Sequence, residues 1–280
     1  MLGYDLVAEL LRRGHGVHNP SSSELDITEP MSIASVAMSP GAYDWCINCA
    51  AYTAVDKAET EVQQATELNM LGPGYLSNAC SMAGIKLIHI STDFVFNGKG
   101  TSPYHEDDAT DPLGVYGRTK RDGELAVLAG NTNALVVRTS WLYGVHGRSF
   151  PRTMIGAWKA GKSLRVVNDQ MGCPTYTVDL SRVLVDMVEI NAYPGIYHAC
   201  GPTATNWHAF ATDAISLWAS GAGDARPVDI AGIPSSEYPT PAKRPHFSVL
   251  SCEKLEELGI TPMRVLPVAL ADFVSKLAAE

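Results

Sequence analysis

Lys86-Leu87-Ile88-His89-Ile90-Ser91-Thr92-Asp93 is the stretch on which the fold turns. A mostly apolar run ends in three small polar residues, which reads as a buried strand opening into a loop. The next segment, Pro112 to Leu128, has helical spacing and leads to a second apolar run, Ala134-Leu135-Val136-Val137-Arg138. Strand, helix and strand in that order predict a parallel pair with a crossover helix, because a tight turn cannot join parallel strands. The alternation continues outward. Upstream, Trp45 to Cys49 predicts a strand, and Glu61 to Ala83 a long helical region interrupted near Gly72-Pro73-Gly74. Before that, the pattern predicts a helix over Asp5 to Arg13 stopped by Gly14, a very short strand at Val17, a strand end at Leu25 to Thr28, and a helix over Ser32 to Met38. Downstream, Gly195 to Ala199 predicts a late strand of the same sheet. Short apolar strands separated by helices indicate a doubly wound parallel α/β sheet covered on both faces.

From Trp141 onward proline and glycine become frequent and aromatic residues fall in loops. The expectation is a domain of residues 1–140 and 174–202, interleaved with a smaller, loop-rich domain of residues 141–173 and 203–280. Of the 280 residues, 46% are hydrophobic and 18% charged, a globular composition. No apolar run reaches the roughly 18 residues of a membrane span. Met1 to Asp5 lacks the basic start and apolar stretch of an export signal, so a cytoplasmic protein is expected. Lys and Arg number 21 against 30 Asp and Glu, a net charge of −9. That balance disfavours nucleic acid and membrane partners, and it requires a locally basic pocket for any anionic ligand. The six cysteines are scattered. Cys46 and Cys49 form a C-x-x-C on a predicted buried strand, without a second such pair, and read as reduced packing thiols rather than metal ligands.

In doubly wound sheets the ligand lies beyond the carboxyl ends of the strands, where Asp26, Tyr52-Thr53, Ser91-Thr92-Asp93 and Thr139-Ser140-Trp141 fall here. Tyr116-Gly117-Arg118-Thr119-Lys120 places a phenol and an ammonium on one helix face. A neighbouring ammonium favours the phenolate and draws a pKa of about 10 toward neutrality. Such a tyrosine can protonate a carbonyl that receives a hydride, and the lysine can hold ribose hydroxyls. The same spacing also describes a solvated helix face. Thr92 has two readings as well: its hydroxyl orients that carbonyl, or it caps the following turn.

Through Ser-Thr-Asp-Phe-Val-Phe (91–96) and Tyr-Gly-Arg-Thr-Lys (116–120), the sequence resembles the extended short-chain dehydrogenase/reductases. Within them it is similar to the dTDP-4-dehydrorhamnose reductases. That likeness runs through Asn-Cys-Ala-Ala-Tyr-Thr-Ala-Val-Asp-Lys-Ala-Glu (48–59), Arg-Thr-Ser-Trp-Leu-Tyr-Gly (138–144), Asn-Asp-Gln-Met-Gly-Cys-Pro-Thr (168–175) and Pro-Thr-Pro-Ala-Lys-Arg-Pro (239–245). The resemblance covers nearly the whole chain. It implies a Rossmann-like fold and NADPH- or NADH-dependent reduction of the C4 keto group of a dTDP-linked 6-deoxyhexulose, in nucleotide-sugar and polysaccharide synthesis. It implies Thr92, Tyr116 and Lys120 as the catalytic residues. Gly3 then closes the dinucleotide turn, Asp26 lies beside the adenine, and Cys49, Ala50 and Ala51 follow the cofactor's ribose and pyrophosphate. Thr53, Val55, Asp93 and Trp141 face the substrate, and Arg244 meets the nucleotide diphosphate. Mg²⁺ and a homodimer are allowed by the resemblance and mapped to no residue.

Three departures stand out. Phe94 replaces the family's usual tyrosine, and Ser149 in Gly147-Arg148-Ser149-Phe150 replaces an asparagine; both bear on which sugar is bound. The opening Met1-Leu2-Gly3-Tyr4-Asp5 resembles only the end of the glycine-rich turn, so the first strand and two glycines are expected to be missing, through a truncated chain or a displaced start. His18-Asn19-Pro20-Ser21 lacks the acidic residue that favours NAD, and Ser21 to Ser23 could take a 2′-phosphate, so NADPH is favoured over NADH. Two alternatives remain. One is another nucleotide-sugar reductase, epimerase or dehydratase, the last disfavoured because Asp93 lacks an adjacent Glu. The other is a non-catalytic nucleotide-binding subunit, similar to the regulatory β subunit of methionine adenosyltransferase.

Overall fold

The computed structural model describes residues 1–36 and 40–279. Its main sheet has four parallel strands, β1 (Trp45–Asn48), β2 (Lys86–Thr92), β3 (Ala134–Thr139) and β4 (Gly195–His198), side by side in that order. The longer helices are α1 (Leu2–Arg12), α2 (Gly72–Ala83), α3 (Val115–Gly130), α4 (Phe150–Lys159), α5 (Thr177–Glu189), α6 (Trp207–Ala222) and α7 (Leu266–Ala278).

Successive strand residues point to opposite faces, and here both faces are buried. Ile88, Leu135 and Val137 pack with Leu2 and Leu6 of α1 and Leu180 and Leu184 of α5. Leu87 and Val136 pack on the other face with Leu76 of α2 and Val127 of α3. This second face turns polar near the carboxyl ends of its strands. Asn48 pairs in register with His89, and Ser91 with Arg138, all four buried.

Helix α3 closes on that polar row through two glycines. A Cβ on Gly117 would stand 2.2 Å from the Phe94 carbonyl oxygen, and one on Gly123 1.9 Å from that of Asn69. Asn69 lies in a π-helical turn, Glu67–Leu71, directly before α2. Pro73 has no N–H to offer the carbonyl four residues back, so the helical region widens there, one turn earlier than Gly72-Pro73-Gly74 suggested. The start of α3 is also later than the sequence pattern gives, at Val115, whose N–H donates to the Glu59 carboxylate at 2.8 Å.

Two short predicted strands are absent. Val17 has no ladder partner among the described residues, and Leu25 to Thr28 forms a turn in which the Asp26 carboxylate accepts the Thr28 N–H at 2.9 Å. The helix expected over Ser32 to Met38 is observed as Pro30–Ser35, and Met38 lies outside the described residues. A separate apolar cluster joins Tyr143, Trp158, Tyr176, Phe210, Leu270 and Phe273, built on α4, α6 and α7. Beside it, Leu164–Val167 pairs in parallel with Ile230–Ile233. Among the described residues no helix is long and apolar enough to cross a membrane.

Candidate active site

A cavity of about 930 Å³ opens at the carboxyl ends of β1, β2 and β3, against the aromatic edge of the second cluster. Thr92, Asp93, Tyr116 and Lys120 line its floor, with Cys49 and Ala51 from the segment after β1. Thr53, Val55, Trp141 and Arg244 line it as well. Three expected residues do not. Gly3 sits inside α1 with open space where a Cβ would be. Asp26 is exposed and its carboxylate is engaged by both the N–H and the hydroxyl of Thr28. Ala50 is exposed, with its N–H turned inward to Asn48. Met1 and Leu2 line the cavity instead. Ser21, expected near a 2′-phosphate, gives its N–H and hydroxyl to Glu24, both at 2.8 Å.

Thr92 is observed in its capping role: its Oγ1 accepts the Phe94 N–H at 3.2 Å at the turn Asp93–Val95 and donates to Asp93 Oδ1 at 3.1 Å, beside the Tyr116 phenol. Burial pushes the Tyr116 phenol up to about 12, and the Thr92 contact offsets this only in part. This corrects the expectation that Lys120 draws the phenol toward neutrality. The Lys120 Nζ is committed to the Ile90 carbonyl at 2.6 Å, and burial takes the ammonium itself down to about 8. Asp93 is 1% exposed, and burial raises its carboxyl to about 6 against hydrogen bonds from Ser248 and Thr92. Its Oδ2, like the Thr139 hydroxyl on the cavity wall, has no partner among the described residues.

Below Lys120, one turn along α3, Glu124 forms a two-pronged ion pair with Arg138 at 2.9 and 2.8 Å. Ser91 donates to the same carboxylate. Across the cavity, Trp141 takes a left-handed backbone conformation, φ 46°, and stacks on Trp207 with ring centroids 3.5 Å apart. A Cβ on Gly172 would enter the Trp141 ring at 2.5 Å, so the glycine makes room for this stack. Arg148, Arg165 and Arg244 line the same side, which supplies the basic pocket that an acidic chain needs for an anionic ligand. Asp56 holds Arg244 through both carboxylate oxygens, at 3.0 and 2.8 Å. Sequence reading missed Trp207 and Arg165, and gave no role of their own to Arg148, Phe150 and Glu59 although these lie within the stretches 147–150 and 48–59; Phe150 and Trp207 open α4 and α6 in the aromatic-rich region after Trp141.

Chemically, the cavity can bind an anion on its arginine side, seat an apolar or aromatic group on the indole pair, and deliver a proton from a phenol held by a threonine. Comparison with known proteins agrees in kind. Residues 1–279 match the model of the family described as RmlD substrate binding domain. A dTDP-4-dehydrorhamnose reductase of Mycolicibacterium smegmatis is 40% identical over 277 residues, covering 98% of this chain and 82% of the relative. The crystal structure of a dTDP-4-dehydrorhamnose reductase from Clostridium acetobutylicum superposes with a TM-score of 0.92 at 35% identity, over 99% of this chain and 96% of that one. The enzyme of that name from Bacillus anthracis, in complex with NADP, gives 0.90 at 32% identity, over 98% of this chain and 95% of that one.

Proposed function

The chain belongs to the family of the RmlD substrate binding domain, and from that premise we propose that it reduces the C4 keto group of dTDP-4-dehydro-L-rhamnose to dTDP-L-rhamnose with NADPH. The observation that carries this reading is the convergence of Thr92, Tyr116 and Lys120 on the floor of one cavity whose opposite wall holds three arginines and an indole pair. The Thr139 hydroxyl and the Asp93 carboxyl oxygen, both buried without partners on the cavity wall, fit a polar ligand, and Cys49, Ala51, Tyr116 and Lys120 are the residues read as holding the nicotinamide end of a dinucleotide. That cofactor supplies the hydride when bound.

The rest falls to the chain's own groups. Thr92 orients the C4 carbonyl, and Tyr116 hands its phenolic proton to the oxygen as C4 becomes an alcohol. A phenol that burial holds near 12 keeps its proton at neutral pH, which suits a donor. Trp141 and Trp207 exclude water from one side of the sugar, while Arg244, steadied by Asp56, pairs with the diphosphate. Thr53, Val55 and Asp93 complete the sugar's surroundings.

In this reading residues 1–140 and 174–202 carry the cofactor, and residues 141–173 and 203–280 carry the nucleotide sugar, in a cytoplasmic enzyme. NADPH is preferred because residues 18–21 contain no carboxylate, because the nearby Glu24 is engaged by Ser21, and because the Bacillus anthracis relative holds NADP. Among the described residues no three His, Cys, Asp or Glu side chains converge to hold a metal, and no step is routed through Mg²⁺.

The test follows NADPH and NADH oxidation by absorbance with dTDP-4-dehydro-L-rhamnose. Turnover should depend on the sugar nucleotide, with the higher kcat/KM for NADPH. Tyr116→Phe should lose roughly a hundredfold to ten-thousandfold in kcat. Near-normal turnover in that variant refutes the mechanism.

A further inference from the structure

We propose that Asn48 and His89 are positioning residues that fix a proton on His89 Nε2, pointing at Lys120, and thereby hold the proton affinity of Lys120 low. Its catalytic consequence rests on the reductase reading above; its structural half does not.

His89 is fully buried on β2, directly opposite Asn48 in the ladder. A neutral imidazole has one N–H and one acceptor nitrogen, and its partners decide which is which. Here the decision starts at a backbone amide. The Ala50 N–H donates to Asn48 Oδ1 at 3.0 Å, which commits the amide oxygen and turns the NH₂ toward His89. Reversing the amide would set its NH₂ against the Ala50 N–H, two donors facing each other. Asn48 Nδ2 lies 3.1 Å from His89 Nδ1, so Nδ1 is the acceptor and the ring proton sits on Nε2.

That nitrogen lies 3.4 Å from Lys120 Nζ. An ammonium there meets a second donor. An amine does not: its lone pair accepts from Nε2–H, one of its N–H groups goes to the Ile90 carbonyl at 2.6 Å, and the other remains for the cavity. The arrangement is satisfied when Lys120 has released its proton and frustrated when it has not. Burial acts in the same direction on Lys120 and keeps His89 neutral. The remaining charged or titratable neighbours oppose this or are spent elsewhere. Glu124 on α3 and Cys49 after β1 favour the ammonium, but Arg138 on β3 engages Glu124. Asp93 acts on the Tyr116 phenol, and the Met1 amino group on Cys49. Once Tyr116 has given its proton to the substrate oxygen, the Lys120 ammonium one turn along α3 returns one to the phenolate and is left as the satisfied amine; that supply empties as pH rises through the Lys120 titration, and reduction slows with it.

Selective ¹⁵N-histidine labelling of the full chain reads the tautomer through two-bond proton–nitrogen correlations, with His89→Gln assigning the resonance. The expected pattern is Nε2–H, unchanged between about pH 6 and 9. Asn48→Asp offers His89 an acceptor instead of a donor; the ring should switch to Nδ1–H, leaving Nε2 free to accept from the ammonium. Lys120, followed by ¹³C-lysine NMR, should then titrate about one pH unit higher, with the alkaline limb of kcat/KM moving alongside. Asn48→Ala releases the constraint without adding charge and should move both in the same direction by less. A wild-type Nδ1–H tautomer, or a Lys120 titration unmoved in both Asn48 variants, overturns the proposal. Absence of turnover with the expected NMR pattern counts instead against the reductase reading, and active enzyme with the Nδ1–H tautomer counts against this inference alone.

Discussion

Replacing Asp93 should separate stability from activity. The side chain is 1% exposed, one of its oxygens has no partner among the described residues, and burial raises its carboxyl from 3.8 to about 6. At about 1.4 kcal/mol per pH unit, that rise corresponds to about 3 kcal/mol. The sign follows from proton binding. The unfolded carboxyl ionises near 3.8 and the folded one near 6, so between these values the folded state holds the extra proton. Stability therefore falls as pH rises through this window, and the full cost persists above it. Asp93→Asn removes the ionisation while keeping the shape. Urea unfolding followed by tryptophan fluorescence should give a stability difference, variant minus wild type, that grows by about 3 kcal/mol from acid to neutral pH. At neutral pH the variant should be the more stable protein and, on the proposed function, the poorer catalyst, because Asp93, with its unpaired Oδ2, lines the cavity read as the sugar site. A difference that is flat with pH would refute the reasoning, since it would mean that the Asp93 carboxyl titrates alike in both states.

Glu124→Gln strands the Arg138 guanidinium, which is 2% exposed, and should cost about 3–5 kcal/mol in the same unfolding assay, whereas the double variant Glu124→Leu with Arg138→Met should recover most of it. Gly172→Ala forces a Cβ into the Trp141 ring and should cost about 1–3 kcal/mol of thermal stability, with a raised KM for the sugar nucleotide and an unchanged KM for NADPH. Asp56→Asn loosens Arg244 and should raise the KM for the sugar nucleotide about tenfold without moving kcat, as expected for loss of one charge-assisted contact.

The parallel sheet was legible because its strands are short apolar runs separated by helical spacing, and β1 to β4 lie where Trp45, Lys86, Ala134 and Gly195 begin those runs. Val17 and Leu25 to Thr28 misled for a physical reason: a strand exists only through its neighbour, and local composition carries no information about whether one is there. That Thr92, Tyr116 and Lys120 meet in one cavity was legible through motif and spacing. The groups that hold them were not, since Glu59 and His89 reach α3 from distant segments and Arg138 from the next strand, and in sequence they look like an exposed acid and two strand interruptions. The pKa order was misread because charge proximity can be inferred from spacing and burial cannot. Tyr116 and Lys120 share a helix face as expected, yet desolvation moves the phenol up and the ammonium down.

Depth is what separates this Tyr-x-x-x-Lys from a solvated helix face of the same spacing. Gly117 and Gly123 bring α3 into backbone contact with the turn after β2 and with the π-helical turn before α2. The stripe Tyr116, Lys120 and Glu124 is thereby pressed onto the sheet just where β1, β2 and β3 turn polar. A charged stripe at that depth is stable only if the sheet answers it. Arg138 answers Glu124 with a full ion pair, and Ile90 answers Lys120 with a carbonyl. His89 answers it with a donor, which stabilises the amine and not the ammonium. A sheet selected for stability alone would place apolar residues along this row, because a buried ion pair seldom outdoes hydrophobic packing of the same volume. The polar row therefore marks a site where the protonation state of α3 matters more than the stability of the fold, and it does so at the strand ends where a doubly wound sheet takes its ligand.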